Sequence, residues 1–365
     1  MKITKIETIV INMPMLIEGS AVPKQGGVAR TSMDTLLVRV GTDEGVNGWG
    51  EGFGHRIYTA TKAALDSFIG PMCIGRDATA ISALVSELQR NLTGVGRNGP
   101  AMYALSAIDI ALWDIAGKVA KLPLYRLLGG SQRKTLPAYA SLLRYGEPAA
   151  VTQYVERALK RGYRYIKLHE ITVPPIKAAR EAAGHDIPIM VDCNCLWTVA
   201  EAIEMAHKLR QFNLKWLEEP VWPPEDHTGL ARVQAQGFIP TAAGENAMLP
   251  EFKGMLEARA ITYAQPSVTK VGGVTQMRKV MGLADAHGVE VVPHSAYFGP
   301  GLMASIHCIA AMPNGGLVER YDADFAENPL HDAIHPDKNG NIAVPQGPGL
   351  GVEPDMKVVA KLRVG

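Results

Sequence analysis

Cysteine is scarce in this chain: there are four in 365 residues, at positions 73, 193, 195 and 308. That excludes the framework of a disulfide-stapled secreted domain and points to a reducing compartment. A bias of charge is missing too. The 37 Lys and Arg residues stand against 36 Asp and Glu, a formal net charge of +1, which offers no electrostatic footprint for nucleic acid. No apolar run approaches the roughly 18 residues of a membrane span. The opening Met1 to Pro14 alternates polar and apolar residues like a strand and lacks the apolar core of a signal peptide. Nucleic acid and membrane are therefore excluded as expected partners. What remains is an expected cytoplasmic enzyme, long enough for two or three domains or for one large barrel with an appendage.

Residues 1 to about 50 read as three strands, Ile3 to Ile11, Leu36 to Val40 and Val46 to Glu51, with a turn at Asp43-Glu44-Gly45. Between the first two strands, Met15 to Ser32 looks too irregular for regular structure and has the length of a lid. Three helical patterns follow from about Tyr58 to Lys118, the last starting at Pro100, and Gly129-Gly130 closes the segment. Strands first and helices after them indicate a small α+β unit. Beyond Gly130 the rhythm changes to short apolar runs alternating with amphipathic segments. The runs are Pro137 to Leu143, Tyr165 to His169, Ile187 to Asp192, Lys215 to Glu219, Ile239 to Gly244, Ala260 to Ser267, Val289 to Val292 and Gly316 to Glu319. Eight such runs predict an α/β fold, a modified (β/α)8 barrel; the Gly-rich phosphate turn of an open doubly wound sheet is absent. The expected division is a capping domain over 1–130, a barrel over 131–340 and a segment over 341–365 that returns to the cap.

Polar residues near the ends of these runs keep the period of one βα unit. Lys167, Asp192, Glu218, Glu245, Lys270, His294 and Glu319 are separated by 24 to 27 residues. Strand ends of a parallel barrel converge on one mouth, so these seven should meet there. Three are consecutive carboxylates, Asp192, Glu218 and Glu245, which would raise one another's pKa unless a cation neutralised them. Oxygen donors with room for water and substrate suit Mg²⁺, with Mn²⁺ as a substitute, better than Zn²⁺. Of Glu218 and Glu219 only one can face the ion, because strand side chains alternate. Lys167 and His169, two apart, share a face, and His294 ends the seventh run across the barrel. Two groups able to move protons would then flank a bound substrate.

In Gly48-Trp49-Gly50-Glu51, Ala107 to Asp114, Leu127 to Gly130, Val191 to Asn194, Trp216 to Pro220, Ala243 to Asn246, Lys270 to Gly273 and Pro293-His294 the chain resembles the mandelate racemase and muconate lactonizing enzyme branch of the enolase superfamily. The resemblance implies an α+β cap completed by the C-terminal tail and Asp192, Glu218 and Glu245 as Mg²⁺ ligands. It also implies a carboxylate substrate whose α-proton is removed to give an enediolate. Glu319 resembles the family's acid that hydrogen-bonds the substrate carboxylate, a role for which it should be protonated. Asn194 would orient a ligand or substrate oxygen, and Lys270 would supply a supporting positive charge. Two departures stand out. The usual Lys-x-Lys of the second strand is Lys167-Leu168-His169, which puts His169 in the acid/base slot. The sixth strand carries Ser267 where racemase-like members have an Asp paired with the seventh-strand His, which leaves His294 less basic. A lactonizing enzyme would have a Lys there, so that activity is not expected.

The specificity loops of the resemblance are about 15–30 and 50–58, with Lys24, Gln25, Arg30, His55 and Arg56; these suit a polar or polyhydroxylated acid. Trp197, Trp222, Tyr297 and Phe298 follow strand ends and could wall the pocket, while Cys193 and Cys195 should face away from it. The leading expectation is dehydration of a hydroxy acid or acid sugar, with His169 as base and His294 as acid. Racemisation or epimerisation is the alternative, and a non-catalytic metal-binding scaffold the remote one. The expected partners are a small carboxylate and further copies of the chain in a homo-oligomer.

Overall fold

Two glycines decide the first contact of the fold. A Cβ on Gly48 would lie 2.1 Å from the Ala111 carbonyl oxygen, and one on Gly50 would lie 1.9 Å from that of Ala107. The strand holding them can therefore press directly on a helix backbone, and no other residue type would permit this approach. The structure, a computed structural model, describes residues 1–17, 24–25, 28–130, 133–313 and 316–364. Its N-terminal sheet is antiparallel, built from β1 (Ile3–Leu16), β4 (Ser32–Thr42) and β5 (Asn47–Gly52). A short hairpin of β2 (Lys24–Gln25) and β3 (Val28–Ala29) lies between the first two.

Both long strands run past their apolar stretches. Asn12 Nδ2 donates to Ser32 Oγ and Asp34 Oδ1, at 2.9 and 2.7 Å, so polar cross-strand pairs carry the ladder on to Pro14 and Ser32. The expectation of irregular chain from Met15 to Ser32 is corrected by the hairpin; residues 18–23 and 26–27 lie outside the described residues.

Against the sheet pack α1 (Tyr58–Ala64), which continues through a π-helical stretch into α2 (Gly70–Cys73), then α3 (Ile81–Asn91), α4 (Pro100–Ala120) and α5 (Leu124–Leu127). The polar residues inside the apolar α4 each hold a backbone group elsewhere. Asp114 accepts from the Trp49 and Leu350 amides at 2.9 and 2.8 Å. Ser106 accepts from Gly272 N at 2.9 Å, and Asp109 from Thr275 N at 3.0 Å. The last two satisfy donors at a barrel helix N-terminus that would otherwise be orphaned. Burial pushes the Asp109 carboxyl up to about 7.

The second unit alternates β6 (Thr135–Ser141), α6 (Pro148–Lys160), β7 (Ile166–Leu168), α7 (Val173–Ala183), β8 (Ile189–Asp192) and α8 (Val199–Leu209). It continues with β9 (Leu214–Glu218), α9 (His227–Gln234), β10 (Thr241–Ala243), α10 (Leu249–Glu257), β11 (Tyr263–Ala264) and α11 (Gly273–Ala286). The last members are β12 (Glu290–Val291), α12 (Pro300–Ala311) and β13 (Val318–Tyr321). The eight strands are parallel neighbours in the order β12-β11-β10-β9-β8-β7-β6-β13, the modified barrel that the sequence predicts. Among the described residues no backbone ladder joins β12 to β13. One hydroxyl spans that seam: Ser295 Oγ accepts from Glu319 N at 3.0 Å and donates to Glu319 O at 3.1 Å.

Alternation along the strands places the site. Tyr139, Met190, Trp216, Ala242, Val292 and Leu317 form a separate buried cluster that fills the barrel. Two residues further along four of the same strands stand Asp192, Glu218, His294 and Glu319, on the same face and one layer nearer the mouth.

After β13 the chain forms β14 (Asp324–Phe325), which pairs with β1, β15 (Asn341–Ala343), antiparallel to β6, and α13 (Met356–Leu362). Beyond α13, Val364 N bonds to Val10 O at 2.9 Å, and the Glu51 carboxylate accepts from Gly301 N, at the start of α12, at 2.8 Å. No helix among the described residues is long and apolar enough to cross a membrane.

Fully buried His307 on α12 joins three segments. Its Nδ1 accepts from Tyr125 N at 3.3 Å, and its Nε2 donates to Leu350 O at 3.1 Å. Burial pulls this imidazole down to about 4, so the folded state binds its proton more weakly than the unfolded chain does. Stability from this group is full above about pH 6.5 and falls away toward pH 4, by about 3 kcal/mol in all. We expect urea denaturation of His307→Gln to lack that component of the acid slope; an unchanged slope would refute it. Gly50→Ala should cost several kcal/mol, on the order of 3–5, because backbone must move, read as a lower denaturation midpoint.

Candidate active site

At the mouth a single ammonium group is shared by three acids. Lys167 Nζ lies 2.8 Å from Glu218 Oε1, 2.8 Å from Glu319 Oε1 and 3.3 Å from Asp192 Oδ2, with side chains at most 2% exposed. Burial alone would strip the proton from Lys167, but the Glu218 and Glu319 carboxylates hold its pKa well above the ordinary value. Oxygens of Asp192, Glu218 and Glu245 all lie within 4.8 Å of one another. Glu245 extends the cluster toward Lys270, 3.2 Å away, and His294, whose Nε2 is 3.1 Å from its Oε2. His169 joins from the other side, with Nε2 3.3 Å from Asp192 Oδ2. All seven periodic residues therefore gather at one place.

Their charges do not balance. With all four ionised, Asp192, Glu218, Glu245 and Glu319 would face two ammonium groups among the described residues, Lys167 and Lys270, an excess of two negative charges. Burial works upward on Asp192, yet Lys167 and His169 hold it well below the usual carboxylate range. Burial and the Asp192 charge push Glu218 well above that range, against Lys167. Glu245 is raised by burial but brought down to about 2 by Lys270 and His294. A divalent cation among these oxygens would cancel the excess, and an all-carboxylate donor set fits Mg²⁺ or Mn²⁺.

The ligand set is held by neighbours. Asn194 donates to Asp192 Oδ1 through its backbone N and Nδ2, at 2.9 and 3.0 Å, so it orients the carboxylate itself. Trp216 Nε1 and Gln265 Nε2 donate to Glu218 Oε2 at 2.9 and 2.7 Å. The Gln265 role escaped the sequence reading, although the alternation that places Glu218 two beyond Trp216 also places Gln265 two beyond Tyr263. Glu245 departs from alternation: Ala242 points into the barrel, so Gly244 should be the next inward residue. Gly244 has φ +123, and this turn, open to glycine, re-aims the following side chain. Glu219, at φ +43, turns to the Cys195 thiol at 3.4 Å, and burial with the Glu245 charge pushes its carboxyl up to about 8. Cys195 thus faces an acid beside the cluster, whereas Cys193 is buried in the core.

Each histidine presents Nε2 to the acids. The Leu142 carbonyl, 2.5 Å from His169 Nδ1, keeps the proton on that nitrogen. His294 Nδ1 lies 3.1 Å from the Tyr297 hydroxyl, which bonds onward to Ser267 Oγ. A Ser267–Tyr297 relay thus stands behind His294 where a dyad carboxylate could be. His294 is not without an anion, since Glu245 adjoins it, but burial outweighs Glu245 and leaves the imidazole below its ordinary pKa. Glu319 differs from expectation. Burial favours its neutral form, but Lys167 and His294 hold its pKa below the usual range, which works against the protonated form that the expected role calls for.

Lys270 also donates to Asn246 Oδ1 at 2.8 Å and lies 4.3 Å over the Phe53 ring. Of the four aromatic residues expected as walls, Tyr297 touches the site histidine. Trp197 and Phe298 are core residues, and Trp222 is 65% exposed.

Comparison with known proteins gives the family. A family model described as "Mandelate racemase / muconate lactonizing enzyme, N-terminal domain" matches residues 14–129, and "Enolase C-terminal domain-like" matches residues 150–358. The chain is 31% identical over 340 residues to arabinonate dehydratase of Saccharolobus solfataricus, covering 89% of each chain. It is 34% identical to D-galactarolactone cycloisomerase of Agrobacterium fabrum, over 90% of this chain and 91% of that one. A racemase from Streptomyces coelicolor A3(2), solved with bound magnesium, superposes with a TM-score of 0.85 at 29% identity, over 99% of this chain and 100% of that one.

A Cβ on Gly244 would lie 2.5 Å from the Phe252 ring as well as straining the backbone. Gly244→Ala should therefore cost about 1–3 kcal/mol and displace Glu245, weakening Mn²⁺ binding at least about tenfold in an electron paramagnetic resonance titration. Unchanged affinity would show that Gly244 does not aim Glu245.

Proposed function

Because the chain belongs to the mandelate racemase and muconate lactonizing enzyme family of the enolase superfamily, we propose that it dehydrates a hydroxylated carboxylate of the acid-sugar class. Asp192, Glu218 and Glu245 would hold Mg²⁺. When bound, the ion supplies the positive charge that makes the α-proton of a carboxylate removable. The observation that carries the choice of reaction is the unlike support of the two imidazoles. His169, with Nδ1–H fixed on Leu142 O, offers an Nε2 lone pair and serves as the base for the α-proton. His294 rests on a hydroxyl that accepts from a charged imidazole as readily as it donates to a neutral one. A buried imidazolium without a dyad carboxylate gives up its proton more easily, which suits protonation of the departing β-hydroxyl.

The balance is simple: one proton leaves the α-carbon to His169, one passes from His294 to the hydroxyl, the β C–O bond breaks and water departs. The enol left behind becomes a 2-keto-3-deoxy acid. Lys167 and Glu319 would orient the substrate carboxylate end, with Lys270 holding Glu245. The dehydratase named among the relatives supports this reading, and the racemase supports α-carbon epimerisation as a second one. What favours the second reading is that each imidazole has a carboxylate within 3.3 Å.

Proton NMR of aldonic and aldaric acids with enzyme and Mg²⁺ in D₂O tests the choice. We expect a 2-keto-3-deoxy product; α-deuterium with stereochemical scrambling and no loss of water would instead establish the racemase reading. His169→Asn should lower turnover by about 10²- to 10⁴-fold, and full activity would remove His169 from the mechanism. Chelation should abolish activity. Because Trp216 bonds to Glu218, Mg²⁺ titration should also change tryptophan fluorescence, and Trp216→Phe should lose that change.

A further inference from the structure

Five side chains at the mouth form a closed ring of contacts, and four of them belong to the barrel. Glu245 is gripped on one oxygen by Lys270 Nζ at 3.2 Å and on the other by His294 Nε2 at 3.1 Å. His294 leans in turn on the Tyr297 hydroxyl, 3.1 Å from its Nδ1. Lys270 and Tyr297 both rest on Phe53, a residue of the cap. Its ring centroid lies 4.3 Å from Lys270 Nζ and 6.5 Å from that of Tyr297, edge to face at 83°.

Phe53 is itself held. Thr61 Oγ1, on α1, donates to its carbonyl at 3.0 Å, and its ring packs on Tyr103 of α4 at 5.1 Å and on His55 at 4.8 Å. The aromatic ring suits both of its barrel contacts. An ammonium has three donors, and Lys270 directs bonds to Glu245 Oε1 and Asn246 Oδ1. With its side chain only 3% exposed, it gains further from the negative face of an aromatic ring. Tyr297 meets the same ring in the edge-to-face arrangement that aromatic pairs prefer. An aliphatic side chain would fill the space and offer neither interaction. The opposite imidazole has a different footing: His169 lies between Leu142 O and Asp192, both of the barrel.

We propose that Phe53 is a positioning residue for the His294 half of the reaction: through this one ring the cap sets where His294 stands against Glu245. It acts through Lys270 and Tyr297. This rests on the reading of His294 as the acid for the departing hydroxyl.

The test compares Phe53→Leu and Phe53→Met, which keep an apolar filler and remove the ring, with Phe53→Tyr, which keeps the ring, and Tyr297→Phe, which removes the hydroxyl alone. Histidine ring ¹⁵N NMR of the whole chain needs no substrate, and the His294 signal is assigned by its loss in His294→Asn. In Phe53→Leu and Phe53→Met that signal should shift in the direction it takes in Tyr297→Phe. In Phe53→Tyr it should keep its original place, and the His169 signal should stay unmoved throughout. With Mg²⁺ and an acid sugar in D₂O, Phe53→Leu should lower kcat for loss of water on the order of tenfold at a nearly unchanged KM. α-Deuterium exchange, the step of His169, should persist, and Phe53→Tyr should recover kcat. An unmoved His294 signal, a raised KM at unchanged kcat, or equal losses of exchange and elimination would overturn the proposal. A shifted signal in a protein that dehydrates none of the acids refutes the reaction assignment alone. Dehydration with an unmoved signal refutes the role of Phe53 alone.

Discussion

One buried ammonium shared by three carboxylates is the constraint around which the barrel mouth is built. Lys167 sits where Asp192, Glu218 and Glu319 converge from three strands, and its removal would leave three acids facing one another uncompensated in low dielectric. Such a cluster is weak evidence of stability, because desolvation offsets much of the attraction. Its excess of acids over ammonium groups is the charge pattern that the proposed divalent cation would complete. The supporting bonds from Asn194, Trp216 and Gln265 fix the lone-pair directions of Asp192 and Glu218.

The cap reaches this site through α4, which deals with its own burial in an economical way. Its backbone packs on the glycines of β5, while Ser106, Asp109 and Asp114 hold amides of α11, β5 and the C-terminal tail. Loops that carry Arg30, His55 and Arg56 are thereby positioned by a rigid junction, the arrangement in which variable loops can set specificity.

Much of the architecture was legible because two periodicities agree. A repeat near 25 residues marks the βα units, and alternation within each strand selects which residue looks inward. Met190 with Asp192, Trp216 with Glu218 and Leu317 with Glu319 obey both rules. Glu245 does not follow alternation, since the φ of Gly244 rotates it, and a glycine's dihedral cannot be read from its letter. The extension of β1 and β4 rests on Asn12, Ser32 and Asp34, polar residues that hydropathy assigns to loop. The lowered pKa of Glu319 depends on which neighbour lies closest, Lys167 rather than another acid, a matter of ångströms that spacing does not resolve. The Tyr297 relay was hidden for the same reason: an aromatic residue reads as a wall until its hydroxyl is seen to bridge Ser267 and His294.

The seam at Ser295 gives the barrel a property that a fully laddered ring lacks. Elsewhere neighbouring strands are stitched by repeated backbone bonds, but β12 and β13 meet through one side-chain hydroxyl next to His294. A ring with one light joint can be pried at that joint alone. His294 and Glu319 stand on its two banks, and Ser295 N also grips Glu319 Oε2 at 3.1 Å. One serine thus makes both hydroxyl bonds across this joint, and its backbone amide holds the Glu319 carboxylate beside them.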